Sequence, residues 1–221
     1  MPSLHNFCFD IGGVACTQDS THRAVIKGKK YWGEDFSSQE LKKLLYADLG
    51  DGQDYWREFQ NGKLSKEDYL EKSLLAGKFS VSIVNKLRLE DCLKAWCGDP
   101  YQPILDLISR LKDEGYSTGV LTNNNEIMYN TPSGRVQYLV DVAVSSHEIG
   151  VSKPDEEAYL TLLDRMGARA EETFFVDDKL VNILAAQCLG ICGFHFRSRE
   201  IGMDGAFEEL RKFLNGKKVF G

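Results

Sequence analysis

The sequence predicts an α/β fold, in which helices cover both faces of a parallel sheet and a separate helical domain is inserted into the chain. Two observations lead to this prediction. From residue 101 onwards, short apolar runs alternate with amphipathic segments, and strands separated by helices pair in parallel. One further apolar run lies far upstream, and the long stretch between has apolar residues at helical spacing and few strand signals.

The first predicted strand is LHNFCF, residues 4–9, and it ends at Asp10. Three helical segments follow. Two of them begin at SSQE and SKED, where a serine precedes acidic or amide side chains, as is typical of helix N-termini. Because a Gly-Asp-Pro sequence ends this stretch, we predict a core domain of residues 1–18 and 99–221 and a helical cap domain of residues 19–98.

After this break, helices and strands alternate, as in a Rossmann-like sheet. Pro154 in its first turn and Gly167 at its end delimit one of these predicted helices. The predicted elements are, in chain order, helix 101–115, strand 117–122, strand 139–146, helix 154–167, strand 172–178, helix 179–190, strand 191–196 and helix 205–214.

Polar residues follow four of the predicted strands. They are Asp10, Thr122 with Asn123, Lys153, and the pair Asp177 and Asp178. In an open parallel sheet, ligands bind beyond the carboxyl ends of the strands, so these side chains are expected at one edge. An insertion that leaves the chain just after the first strand would lie over the same edge as a lid.

Each of these residues also has a purely structural explanation; Asp178, for example, could cap the following helix. Two features favour a ligand instead. Lys153 precedes the predicted N-terminus of a helix, where the dipole disfavours a cation by about 0.3–1 kcal/mol and attracts phosphate. The carboxylates of Asp177 and Asp178 repel each other unless a cation lies between them, and Mg²⁺ binds carboxylates together with phosphate oxygens. These features favour a site for Mg²⁺ and a small phosphorylated substrate.

Composition argues against several classes of partner. The chain of 221 residues has 27 Lys and Arg against 33 Asp and Glu, a net charge of −6, and no basic block. We therefore expect no nucleic-acid and no membrane partner, and no apolar stretch approaches the length of a membrane span. The six cysteines form no C-x-x-C pair, and reduced thiols in a cytoplasmic protein are the simplest interpretation.

Four segments resemble, in order, the motifs of the haloacid dehalogenase-like hydrolases: FCFDIGGV, VLTNN, VSKPD and FFVDDKLVNILAA. The helical insertion after the first motif resembles the cap of that family. Within it, WREFQNGKLSKEDYLE is similar to a cap segment of a phosphatase branch, which includes the phosphatase domain of soluble epoxide hydrolases and some sugar-phosphate phosphatases.

The resemblance implies a role for each matched residue. Asp10 would attack phosphorus and form an aspartyl-phosphate. Thr122 and Asn123 would hydrogen-bond the phosphoryl oxygens, and Lys153 would neutralise charge on Asp10 and on the phosphate. These roles amount to positioning and charge stabilisation, which is what phosphoryl transfer requires.

The resemblance also implies a set of residues around Mg²⁺. Asp10 and the main-chain carbonyl of Gly12 would contribute to this site. Asp178 would bind the ion directly and Asp177 through water, while Asn182 would orient the acidic loop.

Gly12 departs from the family pattern, which usually has a second aspartate two residues after the nucleophile. That aspartate protonates the leaving oxygen and then activates water, and such a group contributes a factor of about 10² to 10⁴. Three interpretations stay open. The protein is a phosphatase that works without this acid, a weakly active or inactive relative that binds a phosphorylated ligand or a protein partner, or a dehalogenase that uses Asp10 on carbon.

Other side chains are candidates for a substitute acid or for the substrate side of the cap. Structural roles are the simpler explanation for all of them. The candidates for the acid are His5, Asp19, His22 and His147, and those for the cap surface are Trp32, Tyr55 and Trp56.

Overall fold

The computed structural model describes residues 3–17, 24–26, 28–29, 37–46, 48–79, 88–131, 134–217 and 219. Its centre is a sheet of five strands with the order β3-β2-β1-β4-β5, in which every neighbouring pair is parallel. The strands are β1 (Asn6–Phe9), β2 (Ser117–Thr122), β3 (Val142–Ser145), β4 (Thr173–Asp177) and β5 (Cys192–His195).

Ten α-helices are delimited within the described part of the chain. The first four lie in the inserted stretch, and the other six belong to the later α/β alternation. The helices are α1 (Ser38–Leu45), α2 (Tyr55–Gln60), α3 (Lys66–Gly77), α4 (Leu89–Trp96), α5 (Gln102–Asp113), α6 (Glu126–Tyr129), α7 (Ser146–Ile149), α8 (Glu156–Met166), α9 (Leu180–Cys188) and α10 (Ser198–Gly216).

The predicted α/β class is confirmed, with helices on both faces of the sheet. Alternate residues of β1 point to opposite faces, as in any strand. Phe7 and Phe9 pack in a cluster that includes residues of α5 and α10, and Cys8 packs in a second cluster with residues of α8 and α9. Because both faces are covered, the central strands are buried along their length and appear in the sequence as continuous apolar runs.

The inserted stretch has its own hydrophobic cluster. Leu41 and Leu44 of α1 pack there with Tyr69 of α3 and Leu93 of α4, all buried. The serines that predicted helix starts do cap them: Ser37 forms a capping box at α1, and Ser65 accepts a hydrogen bond at the start of α3. The exact extent of the cap domain, residues 19–98, stays a prediction.

Several boundaries differ from those predicted. Strand β3 begins at Val142 rather than at residue 139, because a 3₁₀-helix (Gly134–Tyr138) and a turn occupy the preceding residues. Helix α8 begins at Glu156, so Pro154 precedes the helix instead of lying in its first turn. The last helix begins at Ser198, seven residues earlier than predicted, and is kinked at Gly202.

No helix in the described part of the chain is long and apolar enough to cross a membrane.

Candidate active site

The parallel register brings the predicted residues to one edge of the sheet. Phe9 pairs with Val176, so Asp10 and Asp177 emerge side by side, and the main-chain N–H of Asp10 donates to the carbonyl of Val176 at 2.9 Å. Thr122 lies at the end of the neighbouring strand β2 and is also buried. The edge of the sheet therefore determines where these functional groups meet.

Lys153 lies at the centre of this group and is almost fully buried, with 4% of its surface exposed. Its Nζ lies 3.0 Å from Oδ1 of Asp10 and 2.6 Å from Oδ2 of Asp177, and it donates to the carbonyl of Leu121 at 2.6 Å. Burial acts to lower the pKa of this ammonium, but the two carboxylates outweigh it and raise the pKa overall. Lys153 therefore remains a cation beside Asp10.

The carboxyl of Asp10 is buried at the same point. Burial raises its pKa to about 6, against the opposing effect of the Lys153 ammonium, while the charges of Asp177 and Asp178 act in the same direction as burial. Three carboxylates face two cations here, the buried Lys153 and the half-exposed Arg199, so the site holds excess negative charge. A metal cation at this place would stabilise the ionised form of Asp10.

The acidic residues fit a divalent metal ion. Asp10, Asp177 and Asp178 each place one carboxylate oxygen within 4.8 Å of the others, and all three residues are buried. Oδ1 of Asp178 is buried without a hydrogen-bond partner, and a buried oxygen in that state is costly unless something binds it. A hard cation such as Mg²⁺, which prefers carboxylate oxygens, matches this set of ligands.

The two aspartates of the pair have different surroundings. Oδ2 of Asp177 accepts from Lys153, and both of its oxygens accept from Nδ2 of Asn182 at 3.0 Å. Its Oδ1 also accepts from the N–H of Lys179 at 2.8 Å. Asp177 is thus held by protein groups, whereas Asp178 keeps one oxygen free of them. This contrast supports direct metal binding by Asp178.

The side chain of Asn123 contacts the main chain of Lys153. Its Nδ2 donates to the carbonyl of Lys153 at 2.7 Å, and its Oδ1 accepts from the N–H of Lys153 at 2.8 Å. Both ends of the side-chain amide therefore clamp the main chain of Lys153. The side chain of Asn123 positions the lysine, and only its main chain remains to face a ligand.

Gly12 and Gly13 form the turn after Asp10. Gly13 has a φ of +81°, and a Cβ on it would lie 2.7 Å from Oδ2 of Asp178. Only glycine avoids both problems. Gly12 is different, because its φ is not left-handed and a Cβ on it would meet nothing within 4 Å. A side chain at residue 12 is therefore absent although the structure has space for one.

A cavity of about 340 Å³ opens in front of these groups. Asp10, Gly12, Thr122, Lys153 and Asp178 lie on its inner side, together with Asn123 and Asn182. The opposite wall comes from the inserted helices. Its side chains are Tyr46, Trp56, Gln60 and Trp96.

Comparison with known proteins identifies the family of the chain. A family model described as haloacid dehalogenase-like hydrolase matches residues 5–190. The chain belongs to the haloacid dehalogenase-like hydrolases.

Proteins named as phosphatases and proteins named as dehalogenases are both similar to this chain. A sesquiterpene phosphatase, astK, of Aspergillus oryzae is 29% identical over 199 residues, covering 85% of this chain and 87% of that protein. A (S)-2-haloacid dehalogenase of a Pseudomonas species is 30% identical over 92 residues, 41% of this chain and 40% of that protein. A family enzyme of Bacteroides thetaiotaomicron, solved with magnesium and inorganic phosphate, superposes with a TM-score of 0.66 at 22% identity, covering 87% and 94% of the two chains.

The other candidates from the sequence are placed as follows. Trp56 lines the cavity, but Tyr55 is buried beside it and donates its hydroxyl to Asp51. His5 lies before the amino end of β1, away from the site, and His147 bonds to Ser145 and packs against Tyr129. Neither histidine lines the cavity. Asp19, His22 and Trp32 lie outside the described residues.

Sequence reasoning missed the contribution of β5 to this hydrolase site. Nε of Arg199 donates to Oδ2 of Asp178 at 2.7 Å, and Nε2 of His195 donates to the main-chain carbonyl of Asp178 at 3.1 Å. Ser198 donates to the carbonyl of Gly13 at 2.6 Å. The same strand-end rule, applied to the run that ends at His195, would have located all three.

Proposed function

We propose that this protein is a Mg²⁺-dependent phosphatase that hydrolyses a small phosphorylated metabolite through an aspartyl-phosphate on Asp10. The observation that carries the proposal is the buried oxygen of Asp178 without a partner, beside Asp10 and the buried cation of Lys153. This arrangement combines a nucleophile, a fixed positive charge and a ligand set for a hard cation at one point.

Each residue of the site would have its own role in the reaction. A carboxylate oxygen of Asp10 attacks phosphorus, the P–O bond to the organic group breaks, and the leaving oxygen takes a proton from water. Lys153 balances charge on Asp10 and on the phosphoryl oxygens, and the hydroxyl of Thr122 donates to one of those oxygens. The side chain of Asn123 clamps Lys153, so its contact with phosphate would come from the main-chain N–H. Water then attacks phosphorus, which releases inorganic phosphate and restores Asp10.

Asp10, Asp178 and the main-chain carbonyl of Gly12 would hold Mg²⁺, with Asp177 linked through water and kept in place by Asn182. When bound, the ion supplies positive charge to the transferring phosphoryl group. Oδ1 of Asp178 is available to bind the ion because no hydrogen-bond donor among the described residues contacts it.

The names of several relatives support phosphoryl transfer, whereas the names of others indicate dehalogenation as an alternative. The Aspergillus relative is named a phosphatase, and the Bacteroides enzyme was solved with magnesium and phosphate. Other relatives are named haloacid dehalogenases. Displacement of halide from carbon by Asp10 needs no metal, so the unpartnered Oδ1 of Asp178 would have no ion to bind in that reaction.

A second function is favoured by one specific observation, the glycine at residue 12. Without the acid that protonates the leaving oxygen, the protein would be a weakly active or inactive relative that binds a phosphorylated ligand or a protein partner. None of the six cysteines forms a disulfide, which agrees with the cytoplasmic location that we propose for either function.

The test is an assay of the native protein and of Asp10→Asn on an aryl phosphate and a panel of sugar and alkyl phosphates, with Mg²⁺ or with a chelator. We expect Mg²⁺-dependent release of phosphate by the native protein only. Because Asn is nearly isosteric with Asp, the variant should keep its fold, and circular dichroism checks this. Beryllium fluoride, which mimics an aspartyl-phosphate, should bind the native protein and not the variant.

Three other outcomes would each be decisive. Substantial turnover by Asp10→Asn would remove Asp10 as the nucleophile. Turnover that a chelator leaves unchanged would remove the metal role of Asp178. Absence of turnover on every substrate, with intact binding of phosphate and Mg²⁺, would favour the ligand-binding function.

A further inference from the structure

The cavity has two chemically different sides. Its charged lining residues in the described structure are Asp10, Lys153, Asp178, Lys179 and Arg199, and all of them lie at the edge of the sheet or at the start of α10. The described residues that the inserted helices contribute, Tyr46, Trp56, Gln60 and Trp96, carry no charge.

The uncharged side is mainly an aromatic surface. The ring centroids of Tyr46, Trp56 and Trp96 lie 5.6–6.0 Å from one another, with interplanar angles of 58–85°. Such tilted pairs at this distance are in direct contact, and each stabilises the arrangement by about 0.5–1.5 kcal/mol beyond burial alone. The three rings therefore form one continuous surface, which we call the aromatic wall.

A second layer of rings supports the aromatic wall from behind. Trp56 packs against Tyr69 with centroids 5.8 Å apart, and Tyr69 stacks on Phe59 at 4.6 Å with an interplanar angle of 8°. Both supporting residues are buried. The wall is thus held in place before any ligand binds, so little conformational entropy would be lost on binding.

The geometry argues against two common kinds of substrate body. An aromatic cage for a quaternary ammonium group needs ring faces spread around the cation, but these three rings contact one another and leave no space between them. A polyhydroxylated sugar can stack on aromatic rings, but its many hydroxyls also need hydrogen-bond partners. Gln60 is the one amide on the wall side among the described residues, and one of its N–H groups already donates to the carbonyl of Asn123 at 3.1 Å, so the wall offers few such partners.

We infer that the substrate of this site carries its phosphate on an uncharged, apolar hydrocarbon body, which packs against the aromatic wall. This inference rests on the proposed phosphatase function for the position of the phosphate. The charged inner side would take the phosphoryl group, while the wall would take the hydrocarbon. Met128 and Ile11, which also line the cavity, extend its apolar surface.

The test uses primary n-alkyl phosphates from two to eight carbons, because their leaving groups have nearly the same pKa and only the apolar area changes. We expect kcat/KM to rise about fourfold with each methylene that the wall covers fully, which corresponds to about 0.8 kcal/mol per buried CH₂. Glucose phosphate and phosphocholine should be poorer substrates than hexyl phosphate.

A parallel measurement does not depend on catalysis. Calorimetry with n-alkyl phosphonates, which cannot be hydrolysed, in the presence of Mg²⁺ should show affinity rising with chain length. Longer phosphonates that bind better, without turnover of any alkyl or aryl phosphate, would overturn the proposed function and leave the inference standing. Turnover of sugar phosphates, with phosphonate affinity independent of chain length, would overturn the inference and leave the phosphatase function standing.

Two matched tyrosine variants, one in the aromatic wall and one outside the cavity, test whether the wall binds the hydrocarbon. Tyr46 is 50% exposed, so Tyr46→Ala should fold, and we expect it to weaken hexylphosphonate binding about threefold or more while inorganic phosphate binding changes less than twofold. Tyr138→Ala is the control, since Tyr138 is 75% exposed and lies outside the cavity. Equal effects of the two variants on hexylphosphonate, or no effect of Tyr46→Ala and of a second variant, Trp96→Leu, would reject the wall as the binding surface.

Discussion

Gly12→Asp tests whether the missing carboxylate limits the reaction. The structure removes the usual objection to placing a side chain at a glycine in a turn, because φ at residue 12 is not left-handed and a Cβ there meets nothing within 4 Å. Replacing glycine at such a position restricts the unfolded chain and stabilises the protein by about 0.4–1 kcal/mol. Repulsion from the nearby carboxylates of Asp10 and Asp178 acts in the opposite direction. We therefore expect the variant to fold.

The expected gain depends on the leaving group. A positioned acid contributes a factor of about 10² to 10⁴, which corresponds to about 2.7–5.4 kcal/mol of activation free energy at 1.36 kcal/mol per factor of ten. Part of this gain requires ideal placement, so a rise of one or more factors of ten in alkyl-phosphate turnover is expected. Aryl phosphates, whose leaving oxygen needs little protonation, should change much less.

The assay is a plot of log kcat/KM against leaving-group pKa for the native protein and the variant. The native plot should fall steeply and the variant plot should be flatter. Gly12→Asn is the matched control, because it has nearly the same shape but no proton to donate. Gly13→Ala is the steric control and should lose activity, since its Cβ would lie 2.7 Å from Asp178 at a φ of +81°. A flat native plot, or an equal gain in Gly12→Asn, would refute the reasoning.

Three further predictions concern the metal site and the inserted helices. Asp178→Asn should weaken Mg²⁺ binding roughly tenfold or more, as measured by calorimetry, and unchanged affinity would mean that another oxygen holds the ion. Arg199→Gln should strengthen Mg²⁺ binding, because it removes the guanidinium that contacts Oδ2 of Asp178 at 2.7 Å; weaker binding would contradict this competition. Phe59→Ala should lower the free energy of unfolding by about 3–5 kcal/mol, since the ring is buried and stacked on Tyr69, and a loss below about 1 kcal/mol in urea unfolding would contradict it.

The sheet and its edge could be predicted because parallel topology leaves few choices. A buried strand such as β4 appears as an apolar run, and the residue after it must lie at the carboxyl edge. Asp10, Lys153 and Asp177 were therefore expected near one another, and they are within 3.0 Å as ion pairs through Lys153. Topology brings the main chains of these strand ends to one edge, whereas the ion-pair distances depend on the side-chain rotamers.

The inserted helices show why the rest could not be predicted. Tyr55 and Trp56 are neighbours in sequence and of the same chemical kind, yet one is buried against the helical cluster and the other lines the cavity. Consecutive residues on a helix point about 100° apart, so which of them faces the site depends on how α2 packs on α3 and on the core. Periodicity identifies the apolar residues but does not distinguish a face that meets a partner helix from a face that meets a ligand.

The contacts of single side chains, such as Asn123 and Arg199, could not be predicted from the sequence either. An amide after a strand predicts a polar contact, but the loop conformation decides that its partner is the main chain of Lys153 rather than a ligand. Arg199 lies on α10, 21 residues after Asp178 in the sequence, and contacts it only because β5 lies next to β4.

The acidic group is contacted by two cations, Lys153 and Arg199, which come from different parts of the chain. Lys153 is buried and fixed, whereas the Arg199 side chain is about half exposed and can leave Asp178 at lower cost. A site built this way keeps one permanent cation for Asp10 and one exchangeable cation where the metal would bind, which is why the two residues should respond to substitution in opposite directions: loss of Lys153 removes charge balance from the nucleophile, and loss of Arg199 frees a ligand of the metal.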